Sequence, residues 1–149
     1  RKDGISNSLP QMYGFQAAGS APLVKGKPVL KPETIATAIR IGNPASWDQA
    51  IEARDKSGGV IDSVTDKEIL AAYALVAGKE GVFVEPSSAA GIAGLIKYKK
   101  AGKLPKGKKI VITVTGHGLK DISWALEKFA KPKIVKVNAI AAAKALGLK

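Results

Sequence analysis

Residues 60–68 read VIDSVTDKE, and this stretch carries the strongest local signals in the chain. Residues 60–64 fit a short β-strand. Thr65 then starts a capping box, in which a hydroxyl at the helix cap is followed three residues later by the carboxylate of Glu68. The helix that follows places its apolar residues on one face: Ile69, Leu70, Tyr73, Val76 and Ala77. A strand leading directly into a capped helix is the repeating unit of an α/β fold.

The same alternation is predicted on both sides of this stretch. Upstream, the pattern predicts a strand at 12–16, a helix at 34–40 ended by Gly42-Asn43-Pro44, and a helix from Ser46 to Arg54 ended by Gly58-Gly59. Downstream, it predicts strands at 82–84, 110–114 and 134–137, and helices from about 89 to Gly102, from Asp121 or Ser123 to a point before Pro132, and at 139–146 with Gly147 as its cap. The prediction is one α/β unit over residues 1–149, an open parallel sheet with helices on both faces.

Composition narrows the class of protein. Hydrophobic residues make up 46% of the 149 residues, which excludes a disordered chain. There is no cysteine and only one histidine, so a disulfide framework is ruled out and no metal site is expected. No apolar run is long enough to span a bilayer and no signal-peptide pattern is present, so a cytoplasmic protein without membrane contact is expected.

The formal net charge of +12 permits binding to nucleic acid or to an anionic surface. The lysines are dispersed along the chain, however, and form no basic block interleaved with aromatic residues. A lysine-rich solvated surface explains the charge as well. Nucleic-acid binding is therefore not expected as the main role.

Two predicted strand ends carry candidate binding residues, because ligands bind at the carboxyl ends of parallel strands. Glu85 precedes Pro86-Ser87-Ser88 at the start of a helix, where anions bind but where an ordinary serine cap is equally at home. Residues 115–118 read TGHG, and their glycines would let a ligand approach the backbone. A tight structural turn has the same composition.

Arg40 and His117 are the remaining candidates. Arg40 lies in the apolar stretch TAIRIGNP, residues 37–44, where a buried guanidinium would need an anionic partner. That partner is either a bound phosphate or carboxylate, or a structural acid. His117 is interpreted as a loop histidine without a catalytic duty.

Read together, these motifs resemble threonine synthases of the shorter bacterial and archaeal type. The motifs, in chain order, are LP at 9–10, GFQA at 14–17, TIATAIRIGNP at 34–44, SGG at 57–59, VTD at 64–66, VEPSSAA at 84–90 and TVTGHGLKD at 113–121. The resemblance covers nearly the whole chain. AIRIGNPA and TGHGLKD are characteristic of that family, whereas turns like EPSSA also occur in relatives such as threonine dehydratase.

The resemblance implies a pyridoxal-phosphate enzyme of fold type II, similar to the tryptophan synthase β-subunit, that converts O-phosphohomoserine and water to threonine and phosphate. It implies that Thr115 bonds the pyridine nitrogen of the cofactor and that Gly116 keeps the turn close to the ring. It further places Glu85 near the cofactor, Ala38 along its ring, and Arg40 at the substrate. A cytoplasmic homodimer is implied for the complete enzyme.

Other parts of the family pattern have no counterpart here. The segments with the Schiff-base lysine, the substrate-carboxylate loop and the loop around the cofactor phosphate are missing, and Lys120 is not that lysine, because the family has both. We therefore expect a C-terminal fragment, inactive alone, that needs the N-terminal half in cis or in trans. The alternatives are a non-catalytic interaction or regulatory domain derived from such an enzyme, and a basic nucleic-acid binder.

Overall fold

Two parallel strands connect the first half of the chain to the second. The computed structural model describes residues 4, 6–128 and 134–148. Strand β1, Tyr13–Ala17, pairs in parallel with strand β2, Val60–Val64, and Ala17 lies opposite Val64 at their carboxyl ends. The strand predicted at 60–64 is confirmed residue for residue, and the strand predicted at 12–16 is displaced by one residue.

Helices surround this sheet. They are α1 Pro22–Lys25, α2 Trp47–Ser57, α3 Asp66–Glu80, α4 Pro86–Lys100, α5 Ser123–Lys128 and α6 Ala139–Ala145, with 3₁₀ turns at Thr37–Ile39 and Gly118–Asp121. In the described part of the chain, none of these helices has the length and apolarity needed to cross a membrane. The element order is that of an α/β fold with a parallel sheet, as predicted.

Helix α3 is stabilised at both ends by the residues that the sequence indicated. The Thr65 hydroxyl accepts the Glu68 N–H at 3.2 Å, and the Glu68 carboxylate accepts the Thr65 N–H at 2.7 Å. Gly81 follows the helix with a φ of 67°, a left-handed conformation that glycine adopts without strain. Of the predicted apolar face, Ile69, Tyr73 and Val76 are buried. The capping box is therefore confirmed.

The core lies where α3 and α4 pack together and against the sheet. Helix α4 contributes small residues to it, and Ala89, Ala90 and Ala93 are all at most 2% exposed. Gly94 lies directly against the ring of Phe15 on β1, so that even a methyl group at this position would overlap the ring. Small side chains thus let α4 approach the sheet closely, and this places its N-terminus beside the site described below.

The helix predicted at 34–40 is wrong, because only the 3₁₀ turn at Thr37–Ile39 forms. Three amides that a helix would use within itself are bound by side chains instead. The Thr34 hydroxyl accepts the Ala36 N–H, Asp66 accepts the Ile35 N–H, and Ser87 accepts the Ala38 N–H. Side-chain acceptors from other parts of the fold therefore replace the helical pattern.

The strands predicted at 82–84, 110–114 and 134–137 do not form in the described residues. Val84 makes one isolated antiparallel bridge, to His117. Val111 is 90% exposed and Ile134 is fully exposed, and neither segment has a paired neighbour among the described residues. A strand requires a hydrogen-bonded partner, and an apolar run without one stays extended. The described sheet accordingly has two strands.

The remaining predictions concern the ends of helices. Helix α2 follows Ser46 as predicted, although the Ser46 side chain makes no capping bond, and Gly58 ends the helix with a φ of 63°. Helix α6 is confirmed and is followed by Gly147, whose φ is 72°. The predicted end of α5 before Pro132 lies outside the described residues.

Candidate functional site

The two turns singled out in the sequence lie against each other. The Glu85 N–H donates to the Gly116 carbonyl at 2.9 Å, and the Gly118 N–H donates to the Phe83 carbonyl at 3.1 Å. Between these two bonds lies the bridge that pairs Val84 with His117. The start of α4 and the TGHG turn therefore form one unit, which brings Glu85, Thr115 and Gly116 together.

Ser88, in the first turn of α4, holds the TGHG turn in place. Its hydroxyl oxygen accepts the Thr115 N–H at 3.2 Å and the Gly116 N–H at 2.9 Å, and it lies 3.3 Å from the Thr115 hydroxyl oxygen. Ser88 is 5% exposed, whereas Thr115 is exposed. The arrangement presents the Thr115 hydroxyl at the surface of the site on a fixed backbone.

A buried carboxylate lies beneath this turn. The side chain of Glu85 is 5% exposed, and its Oε2 atom lies 3.7 Å from Nζ of Lys120, which is itself 62% exposed. A methyl group at Gly116 would overlap the Glu85 carboxylate. Glycine is thus required at position 116 by the close approach of the backbone to Glu85, because Gly116 itself does not have a positive φ. Lys120 compensates part of the negative charge of this buried group.

The 3₁₀ turn at Thr37–Ile39 forms the third side of the site. The Ala38 N–H donates to the Ser87 hydroxyl at 3.1 Å, and the Thr37 hydroxyl donates to the Asp121 carboxylate at 2.9 Å. Ala38 is exposed. The structure therefore places Ala38 beside the start of α4, as a neighbour of the unit formed by Glu85, Thr115 and Gly116.

Arg40 is oriented away from these residues. Its Nε and Nη2 atoms both donate to the Thr34 carbonyl, at 2.9 and 2.6 Å. It lines an open cleft of about 610 Å³ at the carboxyl ends of the two strands, together with Asp66 and Trp124. The sequence suggested a buried arginine, but Arg40 is exposed and has no carboxylate within ion-pair distance in the described part of the chain. The structural-acid interpretation is therefore wrong.

His117 caps the second 3₁₀ turn, since its Nδ1 atom accepts the Leu119 N–H at 3.2 Å. Its ring packs edge-on against Phe83 with 5.8 Å between the ring centroids. Both contacts are structural and agree with the interpretation of a loop histidine. In the residues that the structure describes, no group of three or more His, Asp or Glu side chains is placed to hold a metal ion.

Sequence reasoning missed Ser88, Thr37 and Asp121 as members of the site. The serine pair at 87–88 was noted only as a possible anion site or helix cap, and nothing local distinguishes the two hydroxyls. The structure assigns them different partners, because Ser87 binds the Ala38 N–H whereas Ser88 binds the TGHG turn. Thr37 and Asp121 meet only through the tertiary fold.

The fold and this site are those of a class of enzymes. Residues 1–116 match the model of the family described as pyridoxal-phosphate dependent enzyme, and the chain belongs to that family. Two solved structures share its fold. A serine ammonia-lyase from Rhizomucor miehei has a TM-score of 0.61 and 22% identity over 83% of this chain and 42% of its own. A bacterial-strain threonine deaminase, its source abbreviated T.th., has a TM-score of 0.52 and 19% identity over 66% of this chain and 40% of its own.

Within that family, the curated relatives with high sequence identity are threonine synthases. The protein from Mycobacterium leprae is 56% identical over 98% of this chain and 41% of its own length. The one from Halalkalibacterium halodurans is 58% identical over 79% of this chain and 33% of its own, and the one from Methanosarcina acetivorans is 46% identical over 91% and 35%. The chain thus spans about two fifths of the length of the first of these relatives.

The residues present fit part of a pyridoxal-phosphate site. An exposed hydroxyl on an anchored turn, at Thr115, is a suitable neutral partner for a ring nitrogen. The glycine at 116 keeps the turn free of a side chain, and Ala38 offers only a methyl group beside it. The described residues include no glycine-rich loop that would hold the cofactor phosphate. The fit therefore concerns the ring end of the cofactor.

Proposed function

We propose that this chain is the C-terminal part of the large domain of a threonine synthase, an enzyme that converts O-phosphohomoserine and water to threonine and phosphate. The observation that carries the proposal is the similarity to threonine synthases over as much as 98% of the chain. The solved structures of an ammonia-lyase and a deaminase support the fold alone. The lysine that binds the cofactor covalently belongs, in this proposal, to the N-terminal part of the enzyme.

In the proposed enzyme, pyridoxal phosphate supplies the electron sink that this reaction requires. Thr115 donates a neutral hydrogen bond to the ring nitrogen, and Gly116 leaves room for the ring edge. Glu85, partly balanced by Lys120, provides a negative charge below the turn. Ala38 borders the ring without adding a polar group. These residues bind and orient the cofactor.

Arg40 is proposed as the residue that binds an anionic group of the substrate. Two of its nitrogens are held by the Thr34 carbonyl, and this fixes the plane of the guanidinium. The remaining N–H groups have no carboxylate partner in the described residues and border the open cleft. A planar guanidinium with free donors suits a phosphate or carboxylate. A cytoplasmic homodimer is proposed for the complete enzyme.

The direct test is the reaction of the full-length protein loaded with pyridoxal phosphate. We expect it to release phosphate from O-phosphohomoserine and to form threonine in equal amounts. L-serine and L-threonine serve as competing substrates, because dehydration of either one releases ammonia instead. Ammonia release from these amino acids, with no phosphate release from O-phosphohomoserine, would show that the enzyme is a deaminase and would overturn the proposal.

A further inference from the structure

The hydroxyl oxygen of Ser88 has used its full capacity to accept hydrogen bonds. A serine oxygen has two lone pairs and one proton. Both lone pairs are taken by backbone amides, the Thr115 N–H at 3.2 Å and the Gly116 N–H at 2.9 Å. Ser88 can therefore act toward the Thr115 side chain only as a donor, even though their oxygens lie 3.3 Å apart.

This arrangement settles the direction of the Thr115 hydroxyl proton. The Ser88 proton has two possible acceptors: the Thr115 hydroxyl oxygen at 3.3 Å and the Gly116 carbonyl at 3.5 Å, a distance at the outer limit for a hydrogen bond. The Thr115 hydroxyl cannot donate back to Ser88, and it has no other hydrogen-bond partner within the described ranges. Its proton is left to point outward, toward the exposed side of the turn.

We infer that Ser88 is a positioning residue that makes Thr115 an obligatory hydrogen-bond donor toward a ligand. The inference rests on the proposed function, in which the ligand atom is the pyridine nitrogen of the cofactor. An unprotonated ring nitrogen is an acceptor, so it needs a hydroxyl whose proton is not already committed. Without the saturated oxygen of Ser88, the Thr115 hydroxyl would be free to turn inward and offer only a lone pair to the ring.

A double-mutant cycle on the full-length protein tests this inference. The variants are Thr115→Val, Ser88→Ala and their combination, with Ser46→Ala as the matched control, because Ser46 is an exposed serine whose side chain makes no capping bond. Cofactor affinity is measured by titrating the apo protein. The ¹⁵N resonance of the ring nitrogen in labelled pyridoxal phosphate reports its hydrogen bonding directly.

We expect each single variant to weaken cofactor binding about three- to tenfold, the value of one net hydrogen bond. We expect the double variant to bind at least about threefold more tightly than the product of the two losses, because Ser88 acts partly through the Thr115 hydroxyl. The ¹⁵N resonance of Ser88→Ala should move toward that of Thr115→Val. Ser46→Ala should change neither measurement.

Additive losses, with an unchanged ¹⁵N resonance in Ser88→Ala, would overturn the inference and leave the Thr115 assignment intact. If Thr115→Val alone changes neither affinity nor resonance, the Thr115 assignment fails together with the inference, whereas the substrate assay still decides the proposed function. Should Ser88→Ala not fold, Ser88→Cys retains a small side chain with only weak hydrogen-bonding capacity. The same cycle is then run with that variant.

Discussion

The Thr37 hydroxyl donates a 2.9 Å hydrogen bond to the Asp121 carboxylate across 84 positions of sequence. Thr37 belongs to the 3₁₀ turn that contains Ala38, and Asp121 ends the 3₁₀ turn that follows the TGHG segment. The bond therefore connects two of the three segments of the candidate site. The third, the start of α4, is connected to the first through Ser87.

Removal of the Thr37 hydroxyl should loosen this connection. We expect Thr37→Val to lower the free energy of unfolding of the full-length protein by about 0.5–1.5 kcal/mol, since it leaves the Asp121 carboxylate without this donor. Cofactor affinity should fall as well. Thr37→Ser retains the hydroxyl and is the control, which should resemble the wild type. Urea unfolding measures the change, and equal stability of the valine variant would show that the bond contributes nothing.

Gly116→Ala should be strongly destabilising. Its new methyl group would overlap the buried Glu85 carboxylate, which cannot move without losing its position beside Lys120. We expect a loss of about 1–3 kcal/mol from overpacking, together with weakened cofactor binding. The matched control is Gly78→Ala in α3, where a methyl group meets nothing within 4 Å. That variant should gain about 0.5–1 kcal/mol from helix propensity. Comparable thermal unfolding of the two variants would contradict the predicted contact.

Three substitutions at Thr115 distinguish a ligand-binding hydroxyl from a simple turn residue. Thr115→Ala should weaken cofactor binding in the full-length enzyme by about 0.5–1.5 kcal/mol, whereas Thr115→Ser should be nearly silent. Thr115→Asp should favour a protonated ring nitrogen, because a carboxylate offers a compensating charge, and should divert part of the turnover to side products. Cofactor titration and product analysis measure these effects. An alanine variant with wild-type affinity and an aspartate variant with unchanged products would make Thr115 a turn residue only.

Tyr73 carries a buried hydroxyl without a hydrogen-bond partner in the described residues. Burial, and secondarily the charge of Asp121, raises the pKa of this phenol. Because an unsatisfied buried polar atom costs stability, Tyr73→Phe should be neutral or stabilising by up to about 1 kcal/mol. Tyr98→Phe is the control, since Tyr98 is also buried but its hydroxyl interacts with Asp62. A Tyr73→Phe variant that unfolds more easily than the Tyr98 variant would mean that the hydroxyl has a partner in solution.

The capping box of α3 should make stability depend on pH. The hydrogen bond from the Thr65 backbone lowers the pKa of Glu68, against a smaller opposing effect of burial. A lowered pKa in the folded state means that the stabilisation is complete above the unfolded value of about 4.3 and is lost as the pH falls through the folded pKa. Glu68→Gln should therefore reduce stability at pH 7 and flatten its decrease below about pH 4.3. Denaturant unfolding at several pH values checks this. Glu80→Gln, which removes a carboxylate at the far end of α3, is the control.

Part of the fold could be predicted because its causes are local. The strand at Val60–Val64 and helix α3 follow from apolar spacing and from a cap only three residues long. Gly58 and Gly81 end their helices because glycine adopts a positive φ without strain. The two turns at Glu85 and Thr115 were recognisable because each follows an apolar run, and the family resemblance rested on such short motifs.

Long-range contacts decided the rest. Residues 34–40 are not helical because Asp66 and Ser87 bind their amides, and the apolar run at 110–114 forms no strand without a paired neighbour in the described residues. The roles of Ser88 and Asp121 likewise depend on which segment lies beside them. The sequence alone determined where helices and turns are favoured, because those preferences act within a few residues. Only the tertiary structure determined which hydroxyl binds which backbone, because those partners are separated by up to 84 positions and meet only after packing.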